Sequence, residues 1–473
     1  MDPLLLVAAA VGLVWAVVAL VRGSLIAASL GVLLSVCCFG YEFVHFDLGP
    51  IPVTVDRVML GLVIGMLIVQ RSLRLTDPKP LNKADVTLLA FVGYLLVSML
   101  SSDWSGFPKG QVGPMWRWVG GYFTPLVLYW AAKQAPWTER TAGVVQGTLA
   151  VFGLYLGFTS AMEIAQQWSL VFPSYISDPK VGLHFGRARG PMVHGVSFGH
   201  YMGVCLLAAW LWIYRLNPIG KAVQITALPL YFAGVFFSYT RSVWMGTGLG
   251  LCTLLVMMLK GRTRIVVLTS IAMAGVLVGL TQAEKIVGFQ REQSAADTAE
   301  SANMRVGFAY VSWLMFQDRP LFGFGFGRFP LDKKPYLEDR ATDLNLEKLR
   351  PYVHHNTFLS ILTDTGLLGL GLFLASMGLW VKNAWDVYRS DQSPDWAKRQ
   401  AVLMLGALGV YAMQLLFHEL SYTPMDNSLI FFLAGTTSAL VPRRKPAVAQ
   451  AAAPAVAEPR TALATGGSLA VSR

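Results

Sequence analysis

Residues 241–264 read RSVWMGTGLGLCTLLVMMLKGRTR: an apolar run from Ser242 to Leu259, closed by Arg241 at one end and by Lys260, Arg262 and Arg264 at the other. The run is long enough to cross the roughly 30 Å hydrocarbon core of a bilayer. In lipid its peptide groups must be satisfied within the segment, so it is a helix. Comparable runs fall near 4–21, 24–41, 53–70, 86–101, 118–132, 142–160, 196–214, 222–238, 264–282, 356–381 and 401–418, with a shorter one at 427–441. Most are apolar all round rather than amphipathic, as membrane spans are. The expectation is an all-α polytopic membrane protein of 12–13 transmembrane helices.

Composition agrees. Hydrophobic residues make up 54% of the 473-residue chain and charged residues 14%, with a mean hydropathy of +0.51. Soluble domains carry roughly 25% charged residues, so most of this chain's solvent is lipid. The net charge of +11 does not point to nucleic acid, because the basic residues sit between apolar runs. Cys37, Cys38, Cys205 and Cys252 all lie inside such runs and read as small core residues, without a redox role. The first run lacks the positive start and small-residue cleavage site of a signal peptide and has its charge after it, at Arg22, so a retained helix is expected.

Alternate loops carry the positive charge: Arg71, Arg74, Lys79 and Lys83; Lys133 and Arg140; Arg215 and Lys221; Lys260, Arg262 and Arg264; Lys382, Arg389, Lys398 and Arg399; then Arg443, Arg444 and Lys445. The positive-inside rule puts these in the cytoplasm. The opposite loops, 42–52, 102–117, 163–195, 238–241, 283–354 and 419–426, are then external. The division expected is a transmembrane domain over 1–442, with 283–354 as a helical cap, and a disordered Ala/Pro-rich cytoplasmic tail over 443–473.

All seven histidines, His45, His184, His194, His200, His354, His355 and His418, map to the external side or its margin. So do Arg187, Arg189, Arg241 and Arg305. Charges at a membrane margin are costly and usually serve something, although snorkelling arginines and loop-bonded histidines are the plainer explanation for any one of them. Four segments group them: Gly186-Arg187-Ala188-Arg189-Gly190-Pro191 before His194; the turn Ser238-Tyr239-Thr240-Arg241-Ser242; Asn303-Met304-Arg305 followed by Gly323-Phe324-Gly325-Phe326-Gly327-Arg328-Phe329; and His354-His355-Asn356 leading to Asp364-Thr365-Gly366-Leu367-Leu368-Gly369.

In that order, over roughly 150–380, these segments resemble the O-antigen ligase and polymerase superfamily of bacterial inner-membrane glycan enzymes. Arg187, three residues before Gly190, sits at the family's Arg-x-x-Gly position, with Arg189 as an extra arginine. Arg241 matches the turn arginine, Arg305 the loop arginine, and His355 the histidine directly before an asparagine. Pro191-Met192-Val193-His194 departs from the pattern. The resemblance implies transfer of a glycan from a polyprenyl (undecaprenyl) diphosphate carrier to a glycan, lipid or protein acceptor at the periplasmic face, without a cofactor or a metal.

The residue chemistry fits such a reaction. Breaking an anomeric C–O bond leaves a diphosphate, and guanidinium forks bind phosphate oxygens two at a time while staying charged; Arg187, Arg241 and Arg305 suit that role. His355 is the candidate base for the acceptor hydroxyl, with His354, Asn356 and Arg189 as substrate-binding neighbours. Asn356, Ser360 and Asp364 form a polar stripe on one helix face, while His194 and His418 read as loop hydrogen-bonders. The Gly323–Gly327 stretch lacks the preceding strand and following lysine of a phosphate loop and reads as a tight loop against membrane helices. No His pair has metal-ligand spacing, and no pair of Gly/Pro-broken helices supports the alternative of a transporter. A polymerase would use the same donor and base, and remains the alternative within the class.

A reporter fused after residue 75, 262 or 390 should report cytoplasm, and one within 290–345 should report periplasm. A cytoplasmic signal from 290–345 would overturn the placement of every candidate residue.

Overall fold

The computed structural model describes residues 17–48, 51–107, 112–270, 273 and 295–442. Within them the expected spans are helices: α1 (Leu25–Cys38), α2 (Val55–Ser72), α3 (Lys83–Leu100), a broken helix made of α4 (Pro114–Trp118), a π-helical turn (Val119–Phe123) and α5 (Thr124–Gln134), then α6 (Glu139–Ile164), α7 (Gly195–Trp212), α8 (Pro218–Phe237) and α9 (Arg241–Met258). After the cap helices α10 (Ala295–Asp318) and α11 (Phe329–Asp332) come α12 (Thr357–Arg389), α13 (Asp395–Phe417) and α14 (Pro424–Leu440). Seven of these helices are long and apolar enough to cross a membrane. The one departure from an all-helical chain is a small antiparallel hairpin, His45–Leu48 with Ile51–Thr54, where the 42–52 loop was expected. Most of the 4–21 run, the 264–282 run beyond 270, the start of the 283–354 segment and the 443–473 tail lie outside the described residues.

The helices are apolar outward and polar inward, the arrangement lipid demands. Ile219, Val223, Ile225, Phe232 and Phe236 of α8 are exposed, while Gln146, Ser197, His200, Gln400, Gln414, Asp426 and Asn427 are buried. α7 is the central post, packed by α6, α8, α9 and α13. Small residues let the posts approach: Gly246 and Gly250 of α9 lie against Val410 and Gly406 of α13, the close-packing pattern of membrane helices. Residues 303–354 build a second, smaller core from Phe308, Val311, Met315, Phe329, Leu337, Leu346 and Leu349. Cap and bundle belong to one compact unit.

One joint ties the cap to the bundle. α12 breaks at Gly366 (φ 65°, ψ −165°), leaving backbone groups without helical partners. The glycine-rich loop supplies them: the amides of Leu367 and Leu368 donate to the carbonyls of Pro320 and Leu321 at 2.8 and 3.2 Å, and those of Phe324 and Gly325 donate to Thr363 and Asp364 at 3.0 and 2.8 Å. The chains meet so closely that a Cβ on Gly366 would overlap the Leu321 carbonyl, and one on Gly323 (φ 67°) the backbone of Asp364 and Thr365. The two glycine motifs are halves of one contact.

Gly366→Ala should therefore lower the thermal unfolding midpoint of the detergent-purified protein, with a cost of about 1–3 kcal/mol from strained backbone alone. Gly371→Ala, where a Cβ meets nothing within 4 Å, should leave the midpoint unchanged. Equal midpoints for the two variants would remove the joint as a constraint.

Candidate active site

The glycine joint places Asp364 in the bundle interior, where a single cation organises what surrounds it. Arg117, at the end of α4 and 3% exposed, donates through Nη1 to Asp364 Oδ2 at 2.9 Å and through Nη2 to Ser360 Oγ at 2.8 Å and Glu419 Oε1 at 3.3 Å. Its Nε donates to Ser421 Oγ at 2.6 Å. The guanidinium lies between the rings of Phe326 and Tyr422, 4.6 and 4.9 Å from their centroids. Asp364 Oδ2 also accepts the Gly327 amide at 2.9 Å. The π-helical turn after Arg117 explains its approach to the 419–424 loop: a Cβ on Gly121 would lie 2.6 Å from the Ser421 carbonyl oxygen, and the Gly121 carbonyl is taken by Asn427 Nδ2 at 2.7 Å.

Glu419 is also part of the wall of a cavity of about 340 Å³, lined by His194, His354, His355, His418, Val193 and Tyr422 among others. Four of the seven histidines thus meet in one space. A larger cavity of about 720 Å³ lies between α3 and the 319–336 stretch and contains no histidine; the acid–base groups are in the smaller one. Among the described residues no group of three or more His, Cys, Asp or Glu side chains is arranged to hold a metal ion.

Hydrogen bonds join the four sequence segments around this cavity. The Ala188 amide, between Arg187 and Arg189, donates to the Phe237 carbonyl at 3.0 Å, which brings the Arg-x-x-Gly loop to the turn before Arg241. Ser242, next to Arg241, pairs with His418 Nε2 at 3.2 Å. The His418 carbonyl accepts Thr357 Oγ1 at 2.7 Å, and Asn356 Nδ2 donates to the Leu416 carbonyl at 2.8 Å. His355 directly precedes this pair. Glu163, at the end of α6, accepts the amides of Arg189 and Gly190 at 2.8 and 2.9 Å and so fixes the Arg187 loop from beneath.

The candidates nevertheless separate by position. His355 is half-buried in the cavity wall, edge-on to Phe308 at 5.3 Å. Burial, aided by the charge of Arg305, pulls its pKa below the ordinary histidine value. His354 is buried, bonded through Nε2 to Thr363 Oγ1 at 2.9 Å and stacked 3.5 Å from the Phe329 ring centroid. Burial first, then Arg117, Lys333 and His355, pushes it well below that value. Asn356 caps α12 by accepting the Leu359 amide at 2.9 Å. Arg187 is half-buried; Arg241 and Arg305 are exposed. None of these three arginines is among the residues lining the cavity. Arg189 departs from its expected part. Its guanidinium donates to the carbonyls of Ile176, Asp178 and Val181, at 2.8, 2.7 and 2.5 Å, and stacks on Phe185. It braces the 176–190 loop, because a buried guanidinium must find acceptors and three carbonyls supply them.

Sequence reading missed Arg117, Glu419, Glu163 and Lys333. Lys333 is buried, donates to the carbonyls of Leu349 (2.7 Å) and Tyr352, and so sets the turn leading to His354; burial and Arg350 push it down to about 8. The signal for Arg117 existed: it is a lone arginine inside an apolar stretch (Pro114–Phe123), and the Ser360/Asp364 stripe expected on α12 is the surface that receives it. Glu419 and Glu163 stood beside loops with nothing local to mark them.

Residues 226–374 match the family model described as O-Antigen ligase. The match runs from α8 through the Gly366 break and takes in Arg241, Arg305, the glycine-rich loop and His355. No curated protein matches the sequence. Over this stretch, about a third of the chain, the protein is similar to the O-antigen ligase family, and its long apolar helices are those of a multi-pass membrane protein.

Arg117→Leu leaves two buried carboxylates without their cation, a loss of about 3–5 kcal/mol for a broken buried pair. It should unfold the purified protein at markedly lower temperature. Glu419→Gln, which keeps an oxygen for Ser421, should cost much less. Unchanged stability in Arg117→Leu would mean that the charges are solvated.

Proposed function

We propose that this protein is a ligase-type glycosyltransferase that moves a glycan from a polyprenyl diphosphate to an acceptor hydroxyl at the periplasmic face of the inner membrane. The observation that supports the reading is the histidine-lined cavity with His355 in its wall, beside which hydrogen bonds tie the Arg187 loop to the turn before Arg241, and Ser242 to the His418 and Thr357 stretch. His355 takes the proton of the acceptor hydroxyl, whose oxygen forms the new bond to the anomeric carbon. The old anomeric C–O bond breaks with its electron pair going to the diphosphate. Arg187, Arg241 and Arg305 hold that leaving group, and the low dielectric of the site strengthens each contact. A base must be neutral to act, and a histidine pulled below about 6.5 is neutral at pH 7. The depressed pKa of His355 thus supports its role.

The reading is tested with the protein in lipid nanodiscs, a defined polyprenyl-diphosphate glycan and candidate acceptors, in the presence of a chelator and without nucleotide sugar. Transfer should occur, and His355→Ala should lose on the order of 10²–10⁴-fold in rate, with His354→Ala less affected. The wild-type rate should hold from neutral pH down through the ordinary histidine range and fall only below it, as His355 gains a proton. Full activity in His355→Ala would remove it as the base, and absence of transfer to every acceptor class would sink the reading itself.

A further inference from the structure

His194 heads α7 and, on sequence alone, reads as a loop hydrogen-bonder. The structure gives it more. Its Nδ1 lies 3.3 Å from the Ser197 amide and 3.0 Å from Ser197 Oγ. Ser197 Oγ donates to Asp426 Oδ2 at 2.6 Å, and Asp426 Oδ1 accepts from His200 Nδ1 at 2.8 Å. Ser197, Asp426 and His200 are fully buried, and no water-facing group interrupts the chain. His194 itself is half-buried and lines the histidine cavity.

This chain fixes the ring's tautomer. The Ser197 amide hydrogen is held by the helix and cannot rotate away, so Nδ1 must offer it a lone pair; the other tautomer would turn N–H against N–H. The single hydroxyl hydrogen of Ser197 goes to the carboxylate, the shorter contact. The proton of a neutral His194 therefore sits on Nε2, the atom that no hydrogen bond within the described residues uses. Burial lowers the pKa of His194, and Asp426 only partly restores it, so at neutral pH the ring carries that one proton. The other titratable groups around it are His184, whose ring centroid is 5.6 Å away, and His354, His355, His418 and Glu419 across the cavity.

We propose that His194 presents a fixed Nε2–H to the cavity as a donor to a phosphoryl oxygen of the lipid carrier, with the Ser197 amide positioning the ring. The proposal rests on the transfer reading for the identity of that carrier. A phosphoryl oxygen is the fitting partner because His194 closes the same loop that carries Arg187, and that loop is bonded to the turn preceding Arg241. A neutral donor held in place by a backbone amide stabilises developing negative charge without reorganising. It also costs less to desolvate than another cation would.

The test measures binding of a glycan-free polyprenyl diphosphate to the protein in nanodiscs, alongside glycan transfer. His194→Phe, which keeps the ring and loses the donor, should weaken binding by about 10-fold or more, as expected for one hydrogen bond to a charged group. His194→Gln, whose amide N–H falls near the Nε2 position, should recover most of that loss. In ¹⁵N-histidine spectra the signals removed by His194→Gln should be those of a ring protonated on Nε2 alone. Ser197→Ala, which keeps the amide that donates to Nδ1, should leave the ring protonated on Nε2 and should weaken binding less than His194→Phe. Unchanged diphosphate binding in His194→Phe, or a ring protonated on Nδ1, would overturn the proposal. Wild-type protein that binds the diphosphate but transfers nothing overturns the transfer reading instead, and loss of binding in His194→Phe would still support the donor role.

Discussion

One buried guanidinium organises the packing around the candidate site. Arg117 bonds Asp364 and Ser360 on α12 and Glu419 and Ser421 in the loop before α14, so three separate parts of the chain are set by one planar group. Ion pairs of this kind add little net stability, because desolvation offsets most of the attraction. What they supply is geometry: five N–H donors in a rigid fork admit few arrangements of acceptors. Since Asp364 lies in the first turns of α12 and Glu419 forms cavity wall, the fork determines how the His354–Asn356 approach to α12 stands against the His418–Glu419 loop.

The glycine joint makes that geometry possible. Asp364 can reach both Arg117 and the Gly327 amide only because α12 breaks two residues later and the cap loop lies in backbone contact with the break. A side chain at Gly323 or Gly366 would hold the two strands apart and carry the carboxylate away from its cation. At this joint the cap is fastened by main-chain hydrogen bonds, which suits a helix break where unpaired peptide groups are expensive.

Helix positions were legible because lipid imposes a simple rule: a run such as Ser242–Leu259 has no alternative to helix. The alternation of basic loops gave the expectation that histidines and arginines share one side, and the structure brings four of the histidines into one cavity. What sequence could not show was pairing across long separations. Arg117 and Asp364 are remote in the chain, and neither has a local pattern that names the other. Arg189 was expected to meet an anion because of its type, whereas in the fold three of its five N–H donors go to the carbonyls of Ile176, Asp178 and Val181. The hairpin at His45–Thr54 is too short, and its alternation too weak, to stand out between two spans.

Four histidines of one type share the cavity, and what distinguishes them is where the second ring nitrogen goes. Thr363 donates its hydroxyl to helix carbonyls, Leu359 at 3.0 Å or Ser360 at 3.1 Å, so it accepts from His354 Nε2 and fixes that ring while Phe329 covers its face. His194 reaches the same tautomer from its other nitrogen, through an amide that donates to Nδ1. His418 faces Ser242, which also donates to Gln414 Oε1 at 3.0 Å. His355 is held by aromatic edges, from Phe308 and Tyr352, contacts that orient a ring without dictating which nitrogen carries its proton. Proton transfer requires a ring that can exchange that proton, whereas binding a fixed charge requires one that cannot. The surroundings of His355 and His194 meet these two demands in turn, and the Phe308 ring against the one and the Ser197 amide against the other are what make identical side chains different.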